Sequence, residues 1–378
     1  MKEEIAIKPV IRLFWNSKDV YKELSPYLSK VTYTDHEEAM CDEVRLVLTN
    51  TSGIWFNDWY PKEGDTLELN IGYQDKQFST GLFEIDNITL YGPPDSIEIK
   101  AIATGIKKAL RTRNNKAFEK QTLKQIALYF ANKHGFTLVD SSNIMNQIAI
   151  DRRTQENKND LAFLSELARE YGFLFSIKGQ QLVFISYHDL DNAESVTSLD
   201  NLSISSYSLN EKTYDTYAAA TVKTFNRKTG KLVTSSFADG IESSNTDEIR
   251  GEAVRSGSQA YTRARSNLWN KNRFKQSGNI SLPGNTLLVA GINFDLEGFG
   301  LASGKYHITK STHDISDRGY ITTIEIRKTG TIPAPLTVPK QKPVTPAKAP
   351  DAVTGEYKKD TEDYSKPLPG PEFIGEWF

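Results

Sequence analysis

From residue 5 to about residue 105, apolar and polar positions alternate along the chain. Val31 and Tyr33 start the pattern, and Val44, Leu46 and Leu48 continue it. Leu67, Leu69 and Ile71, then Phe83 and Ile85, then Ile97 and Ile99 repeat it. Turn-forming segments separate these runs at Thr51-Ser52-Gly53, Lys62-Glu63-Gly64-Asp65 and Gly92-Pro93-Pro94-Asp95. Successive side chains on a strand point to opposite faces, so short alternating runs broken by turns predict an antiparallel barrel or sandwich. The period then changes. In Asp151–Ser186, Leu161, Leu164, Leu167, Ala168 and Tyr171 recur at helical spacing, with Phe163 widening the apolar stripe. Asn157 or Asn159 is placed to cap this helix, Asp160 sits in the first turn where the dipole favours a carboxylate, and Gly172 supplies a left-handed stop. Phe173, Phe175 and Ile177 alternate as a strand, Lys178-Gly179 turns the chain, and Leu182–Ile185 returns as its partner.

The same pattern occurs once before, in Gln121–Leu138. Ile126 falls on Phe163, Phe130 on Leu167, Ala131 on Ala168, Gly135 on Gly172 and Phe136 on Phe173. Thr122 with Gln125 fits a capping box. Two helix-Gly-Phe-strand units predict a compact α/β element embedded in a larger protein, and two copies are too few for a solenoid. From about residue 203 strands resume, with Tyr217–Lys223 and Lys231–Phe237 flanking a hairpin loop at Asn226–Gly230. Residues 250–275 form the long helical candidate of this part. It carries Arg250, Arg255, Arg263, Arg265, Lys271, Arg273 and Lys275 against Glu252 alone. This is either a solvated helix face or a basic wall facing DNA, an acidic partner or a neighbouring subunit. Strands return over Asn279–Arg327. Beyond Gly330, Pro333, Pro335, Pro339, Pro343, Pro346 and Pro350 predict a stiff extended linker. At the far end Phe373, Ile374, Trp377 and Phe378 make an aromatic plug, either disordered or docked on a partner or on the body.

The expected class is therefore α+β: two antiparallel β domains, each a barrel or sandwich, with an α/β insert between them and an extended Pro-rich C-terminal arm. The boundaries are 1–110 for the first β domain, 111–190 for the insert, 191–330 for the second β domain with its basic helix, and 331–378 for the arm. Trp55 and Trp59 near a turn read as core, since large aromatics usually go inside, with an exposed docking pair as the alternative.

Composition narrows the chemistry. The chain has 378 residues, enough for two or three domains, and its net charge of −2 balances many charges of both signs. Bulk charge thus implies no nucleic-acid or acidic-surface partner. A single cysteine, Cys41, excludes an internal disulfide framework and a cysteine-based zinc site. The start, MKEEIAIKPVIRLFW, lacks the apolar core of a signal peptide, and no apolar run approaches the ~20 residues that span a bilayer. These features predict a soluble protein made in a reducing cytoplasm without its own export address, although a cysteine-poor exported bacterial assembly would look the same. None of the five histidines falls in a metal or triad pattern. His307 and His313, with Asp314 and Asp317, read as polar residues of a strand and loop, and Asp189, Asp191, Asn192 and Glu194 as a solvated loop lacking the EF-hand glycine and glutamate. Gly298–Lys305 fails as a phosphate loop because Phe299 stands where a glycine should and Tyr306 replaces Ser/Thr. No carboxylate pair is singled out for glycoside hydrolysis. No catalytic residue, metal or cofactor is expected, and the chain does not read as an enzyme.

Gln155, Asn159-Asp160, Phe163-Leu164, Leu167-Ala168 and Gly172 together resemble the Q-x-x-x-S/N-D-x-x-F-L-x-x-L-A-x-x-x-G stretch of phage late control gene D proteins. QTLKQIALYFANKHGFTL looks like the preceding helix of that family. GYITTIEIR (Gly319–Arg327) resembles its closing strand, and LPGNTLLVAGINFDLEGFG also fits. The likeness runs from about residue 8 to 330 and leaves out the C-terminal arm. It implies that the two β domains are tube-like antiparallel β-barrel domains of a structural baseplate hub of a contractile phage tail or phage-like injection particle, similar to the N-terminal part of type VI secretion spike proteins. A homotrimer would adapt a hexameric tail tube to a trimeric spike, since two tube-like domains in each of three chains give a pseudo-six-fold ring. The implied partners are the tail tube protein, the spike, other baseplate proteins and a tape-measure protein in the lumen, with DNA as transiting cargo. Arg255, Arg263, Arg265, Lys271, Arg273 and Lys275 would line the lumen or a subunit contact. Phe373, Ile374, Trp377 and Phe378 would dock a partner. Unlike in the type VI spike proteins, no β-helix is expected to follow in residues 331–378. Gln121–Leu138 also mimics the helix of a LysM repeat, so a peptidoglycan-binding tail module, or a muralytic hydrolase, is the alternative.

Overall fold

A computed structural model describes residues 8–330 except 39–40, 75, 105–109, 111, 142–143, 215, 227–229, 239–247 and 252–256. The C-terminal arm, with Phe373, Ile374, Trp377 and Phe378, lies outside the described residues, as does Arg255. The fold is β-rich α+β, built mostly of antiparallel sheets with few helices.

The alternation of the first hundred residues becomes seven strands: β1 (Val10–Trp15), β2 (Lys18–Asp19), β3 (Leu28–His36), β4 (Glu43–Thr49), β5 (Thr66–Tyr73), β6 (Lys76–Tyr91) and β7 (Ser96–Ala103). A short helix, α1 (Tyr21–Leu24), follows β2. Every second residue of β4, Val44, Leu46 and Leu48, is fully buried, as are Leu67, Leu69 and Ile71 of β5 and Ile97 and Ile99 of β7. These positions make one core, and it includes Ile315 and Tyr320 from the far end of the chain.

The insert opens on β8 (Arg113–Thr122), which runs directly into α2 (Leu123–His134) and β9 (Thr137–Asp140). A second unit repeats the order with β10 (Ala149–Asn159), α3 (Asp160–Tyr171) and β11 (Phe173–Lys178), and β12 (Gln181–Ser186) closes it. Thr122 and Gln125 exchange both bonds of a capping box on α2, and Asn159 caps α3 through Ala162 N–H at 2.7 Å. Gly135 and Gly172 end the two helices at φ +74° and +82°, the left-handed region where a Cβ is strained. Lys120 and Asn157 hold matching register positions before the caps, and both have positive φ, at 50° and 47°. The repeat thus extends back into the strands: β8 and β10 pair with each other, and β12 bridges β11 and β9. Phe118, Phe130 and Phe163 meet at ring-centroid distances of 5.5–5.7 Å in the shared core.

After α4 (Tyr187–Asn192) come β13 (Ser195–Leu199) and β14 (Ser206–Glu211). Next, β15 (Ala219–Asn226), β16 (Lys231–Ala238) and β17 (Glu248–Gly251) form a small separate sheet covered by α5 (Gly257–Asn272), through Ala220, Val222, Phe237, Ala260, Ala264 and Leu268. The chain ends its described part with β18 (Gln276–Pro283), β19 (Asn293–Leu296), β20 (Gly304–Ser316) and β21 (Gly319–Lys328). The two β segments expected to stand as separate domains share one sheet of 13 strands, in the order β14-β18-β21-β20-β3-β4-β7-β6-β5-β1-β2, with β19 on β20 and β13 on β19. The seam is the antiparallel pair β20–β3, where His313 faces Tyr33 and their rings stack at 5.9 Å. His313 is fully buried, with Tyr320 Oη at 2.8 Å from Nδ1 and Ser311 Oγ at 3.1 Å from Nε2. Burial pulls its pKa down to about 4, so the ring is neutral at pH 7.

Candidate functional site

The densest polar chemistry lies in the connection from β3 to β4, where Asp35, Glu37, Glu38 and Asp42 fall close together. Such a run of carboxylates would repel itself unless cations came to it, and each one meets a partner from elsewhere in the chain. The Lys178 ammonium, at the end of β11, sits 2.5 Å from Asp35 and 2.9 Å from Asp42. Asp35 also accepts from Ala290 N–H at 2.9 Å. Burial pushes the Asp35 carboxyl up to about 6 against the pull of Lys178, and the second carboxylate of Asp42 adds to the rise. Burial alone would lower Lys178, yet the same two carboxylates hold it above the usual lysine value.

Glu37 reaches the opposite way. Its Oε1 is 2.5 Å from Nε2 of His307 on β20, and Nδ1 of that ring is 2.6 Å from Asn293 Oδ1. Asn293 donates its amide to the carbonyls of Leu190 and Ala193, so its oxygen accepts from His307. With Nδ1 donating, a proton must lie between Nε2 and Glu37. Glu38 takes two guanidinium groups, Arg273 at 2.5 Å and Arg169 at 3.2 Å. One short loop therefore ties the first β segment to the insert, to the turn after α5 and to the closing hairpin. Nearby, Arg327 and Asp191 form a fully buried pair at 2.8 Å, and Trp269 packs between Tyr187, stacked at 3.6 Å, and the Arg327 guanidinium.

A second polar knot explains the motif read from the sequence. Asp160 is fully buried at the start of α3. Its oxygens accept from Gln155 Nε2 at 2.8 Å, Lys133 Nζ at 2.5 Å and Asn114 Nδ2 at 3.2 Å, and His134 Nε2 lies at 2.8 Å. Burial works to raise its pKa, but the bonds from Gln155, Lys133 and His134 outweigh it and hold the carboxylate charged. Gln155 and Asp160, two fixed points of the family-like pattern, are thus one buried hydrogen-bond pair.

The basic helix is placed differently along its length. Arg263 pairs with Glu170 of α3, and burial lowers its pKa to about 10. Arg265 is half-buried, and burial likewise lowers its pKa. Arg273, just beyond the helix, is turned in on Glu38 with its guanidinium over the Trp269 and Phe274 rings. Lys275 is half-buried, and Lys271 is exposed, its ammonium 5.9 Å from the Tyr217 ring centre. Trp55 is buried and Trp59 is 41% exposed, so the pair divides between the two readings made of it. The sequence reading missed Lys178, Glu37 and Glu38, whose partners are distant along the chain. Its one available signal was the unbalanced acidity of DHEEAMCD. Among the described residues no group of three or more His, Cys, Asp or Glu could hold a metal ion. No described helix is long and apolar enough to cross a membrane.

No protein-family model matches the chain. It is 25% identical over 181 residues to the "Probable baseplate hub protein" of Escherichia phage 186, covering 48% of this chain and 46% of that one. The "Probable baseplate hub protein" of Escherichia phage P2 is 25% identical over 182 residues, at 47% and 46%. The chain spans about half the length of these curated relatives. By fold it is similar to the 43 kDa tail protein of prophage MuSo2 from Shewanella oneidensis, with a TM-score of 0.65 and 15% identity over 84% of this chain and 98% of that one. It is also similar to a chain of the Francisella PdpA-VgrG complex, with a TM-score of 0.51 and 10% identity over 87% and 59%. Baseplate hub proteins are thus among the relatives of this chain, and tail proteins share its fold.

Proposed function

We propose that this protein is a structural baseplate hub of a contractile phage tail or phage-like injection particle. Three copies form a ring that joins a hexameric tail tube to a trimeric spike, and its work is mechanical rather than catalytic. The observation that carries the reading is the seam between β3 and β20. It welds two β segments into one sheet, and the acidic loop locks that sheet to the insert. Each chain then offers two related β portions to a tube as a single stiff piece, which is what matching three-fold to six-fold symmetry requires. In this reading the two portions are tube-like domains, the lumen passes a tape-measure protein, DNA or another cargo, and Lys271 is the member of the basic helix most open to a neighbour or the lumen. The aromatic arm, Phe373, Ile374, Trp377 and Phe378, holds the spike or another baseplate protein on a Pro-rich tether.

Two measurements test this. Mass in solution, with a low-resolution image, should give three chains in a ring; a stable species of another number and no ring would reject it. Deleting residues 351–378 should leave that mass unchanged while one baseplate partner disappears from a pull-down. An unchanged set of partners would remove the role given to the arm.

A further inference from the structure

A feature that the hub reading does not use is an open pocket of about 390 Å³ on the first β segment, between the β1–β2 turn, α1 and the loop after Thr49. Its walls are aromatic. Gly53, in the left-handed region at φ +70°, starts a tight turn over Ile54–Phe56, and Asn50 Oδ1 pins that turn by accepting from Trp55 N–H at 3.1 Å. This seats Trp55 in the core while Trp59 and Tyr60 stay 41% and 44% exposed at the opening. The Trp55 and Trp59 rings meet at 5.5 Å with their planes 78° apart, so they form a corner. Trp15 stands opposite, its indole N–H donating to Asp65 Oδ2 at 3.1 Å.

The charges at the opening are unbalanced. Asp65 is occupied: besides Trp15 it accepts from Asn16 Nδ2 at 2.8 Å and Lys62 N–H at 3.0 Å. Glu23 and Asp58, both exposed, have no hydrogen bond or ion pair among the described residues, and the single cation of the lining is Lys62. An aromatic face is negative at its centre, so indole walls beside uncompensated carboxylates attract a cation with an alkyl stem. We infer that this pocket binds an arginine or lysine side chain presented by a partner protein. Arginine fits better, because its planar, weakly hydrated guanidinium stacks on an indole while its edge reaches a carboxylate.

The test uses the full-length protein and does not depend on the ring, so failure of the hub reading leaves it intact. Three of the five tryptophans line the pocket, which makes intrinsic fluorescence a direct reporter. Titration with N-acetyl-arginine amide should give a saturable change with a dissociation constant of about 1–10 mM, the range for a single small group. Trp59→Ala, at an exposed position, should weaken binding about tenfold, and Glu23→Gln with Asp58→Asn about threefold, with salt weakening the wild type. Equal binding of N-acetyl-leucine amide would mean a merely apolar pocket and overturn the inference. Tighter binding of a chitin oligomer would assign the site to glycans and overturn it as well. A response unaltered by Trp59→Ala in a variant with wild-type melting, or no saturation by about 50 mM, would equally reject it.

Discussion

α2 and α3 begin on matched caps, end on matched glycines and bury the same stripe, yet they face different surroundings. The outer side of α2 shows Leu128 and Tyr129 to solvent. The outer side of α3 carries Glu166, which pairs with Arg153 and Lys158, Arg169, which reaches Glu38, and Glu170, which takes Arg153 and Arg263. At the first helical position Leu123 of one copy corresponds to Asp160 of the other, and both are fully buried. The first unit directs its charges to Asp140 and Asp160 within the insert, whereas the second adds charges joined to the rest of the molecule through Glu38 and Arg263. A repeated sequence therefore reports the shared fold, and the positions where the copies diverge report what each one docks against.

That contrast can be broken at Asp160. Asp160→Ala would strand Gln155, Lys133 and His134 without their acceptor, at a cost of roughly 3–5 kcal/mol. The urea midpoint should fall sharply, and amide exchange should rise first in α3 and only then in α2. Equal loosening of both helices would show that the units melt as one.

An acid titration of the wild type sharpens the contrast from the seam, which lies outside both helices. His313 lies at the seam, and its folded value of about 4 is below the ordinary 6.5. The unfolded chain therefore binds more protons between these values, and stability is complete above pH 6.5 and lost as pH falls toward 4. The shift corresponds to about 3 kcal/mol. Exchange should rise along β3 and β20 in this window while α2 and α3 stay protected. Asp35 acts in the opposite sense, since its raised value favours the fold as it protonates below about 6. Asp35→Asn should therefore steepen the acid loss.

The smallest test compares the two stops. Gly135 has nothing within 4 Å of an added Cβ, whereas at Gly172 the Ser266 Oγ of α5 would lie at 3.0 Å. Both are left-handed, so Gly135→Ala should cost about 1 kcal/mol from backbone strain alone. Gly172→Ala should cost about 2 kcal/mol, because the contact with α5 adds to the same strain. Equal melting shifts would show that α5 gives way freely.

Local chemistry was legible in the sequence, and distant pairing was not. Caps and stops at Thr122, Asn159, Gly135 and Gly172 depend on neighbours a few residues away, and the alternation of Val44, Leu46 and Leu48 marks its own buried face. β8 and β10 escaped notice because Arg113–Thr122 buries only Phe118, leaving no alternation to see. Lys178 read as a turn residue, since nothing nearby shows that its ammonium reaches Asp35 and Asp42. The basic run over 250–275 read as an outward face because Glu38 and Glu170, which draw Arg273 and Arg263 inward, lie far upstream. The two β segments read as separate bodies for the same reason: strand periodicity fixes which face is buried, but not which distant strand completes the edge.

The seam also sets a clock. Thr32 donates to Asp314 at 2.5 Å across a separation of 282 residues. Synthesis runs from the N-terminus, so β3 has no partner on that edge until nearly the whole body has been made. Contacts so far apart in sequence close late, because the loop entropy must be overcome before they contribute. Ile315 and Tyr320, which complete the first core, arrive with the same hairpin. An unfinished chain therefore lacks a closed first core, and the edge of β3 stays open until β20 and β21 have been translated.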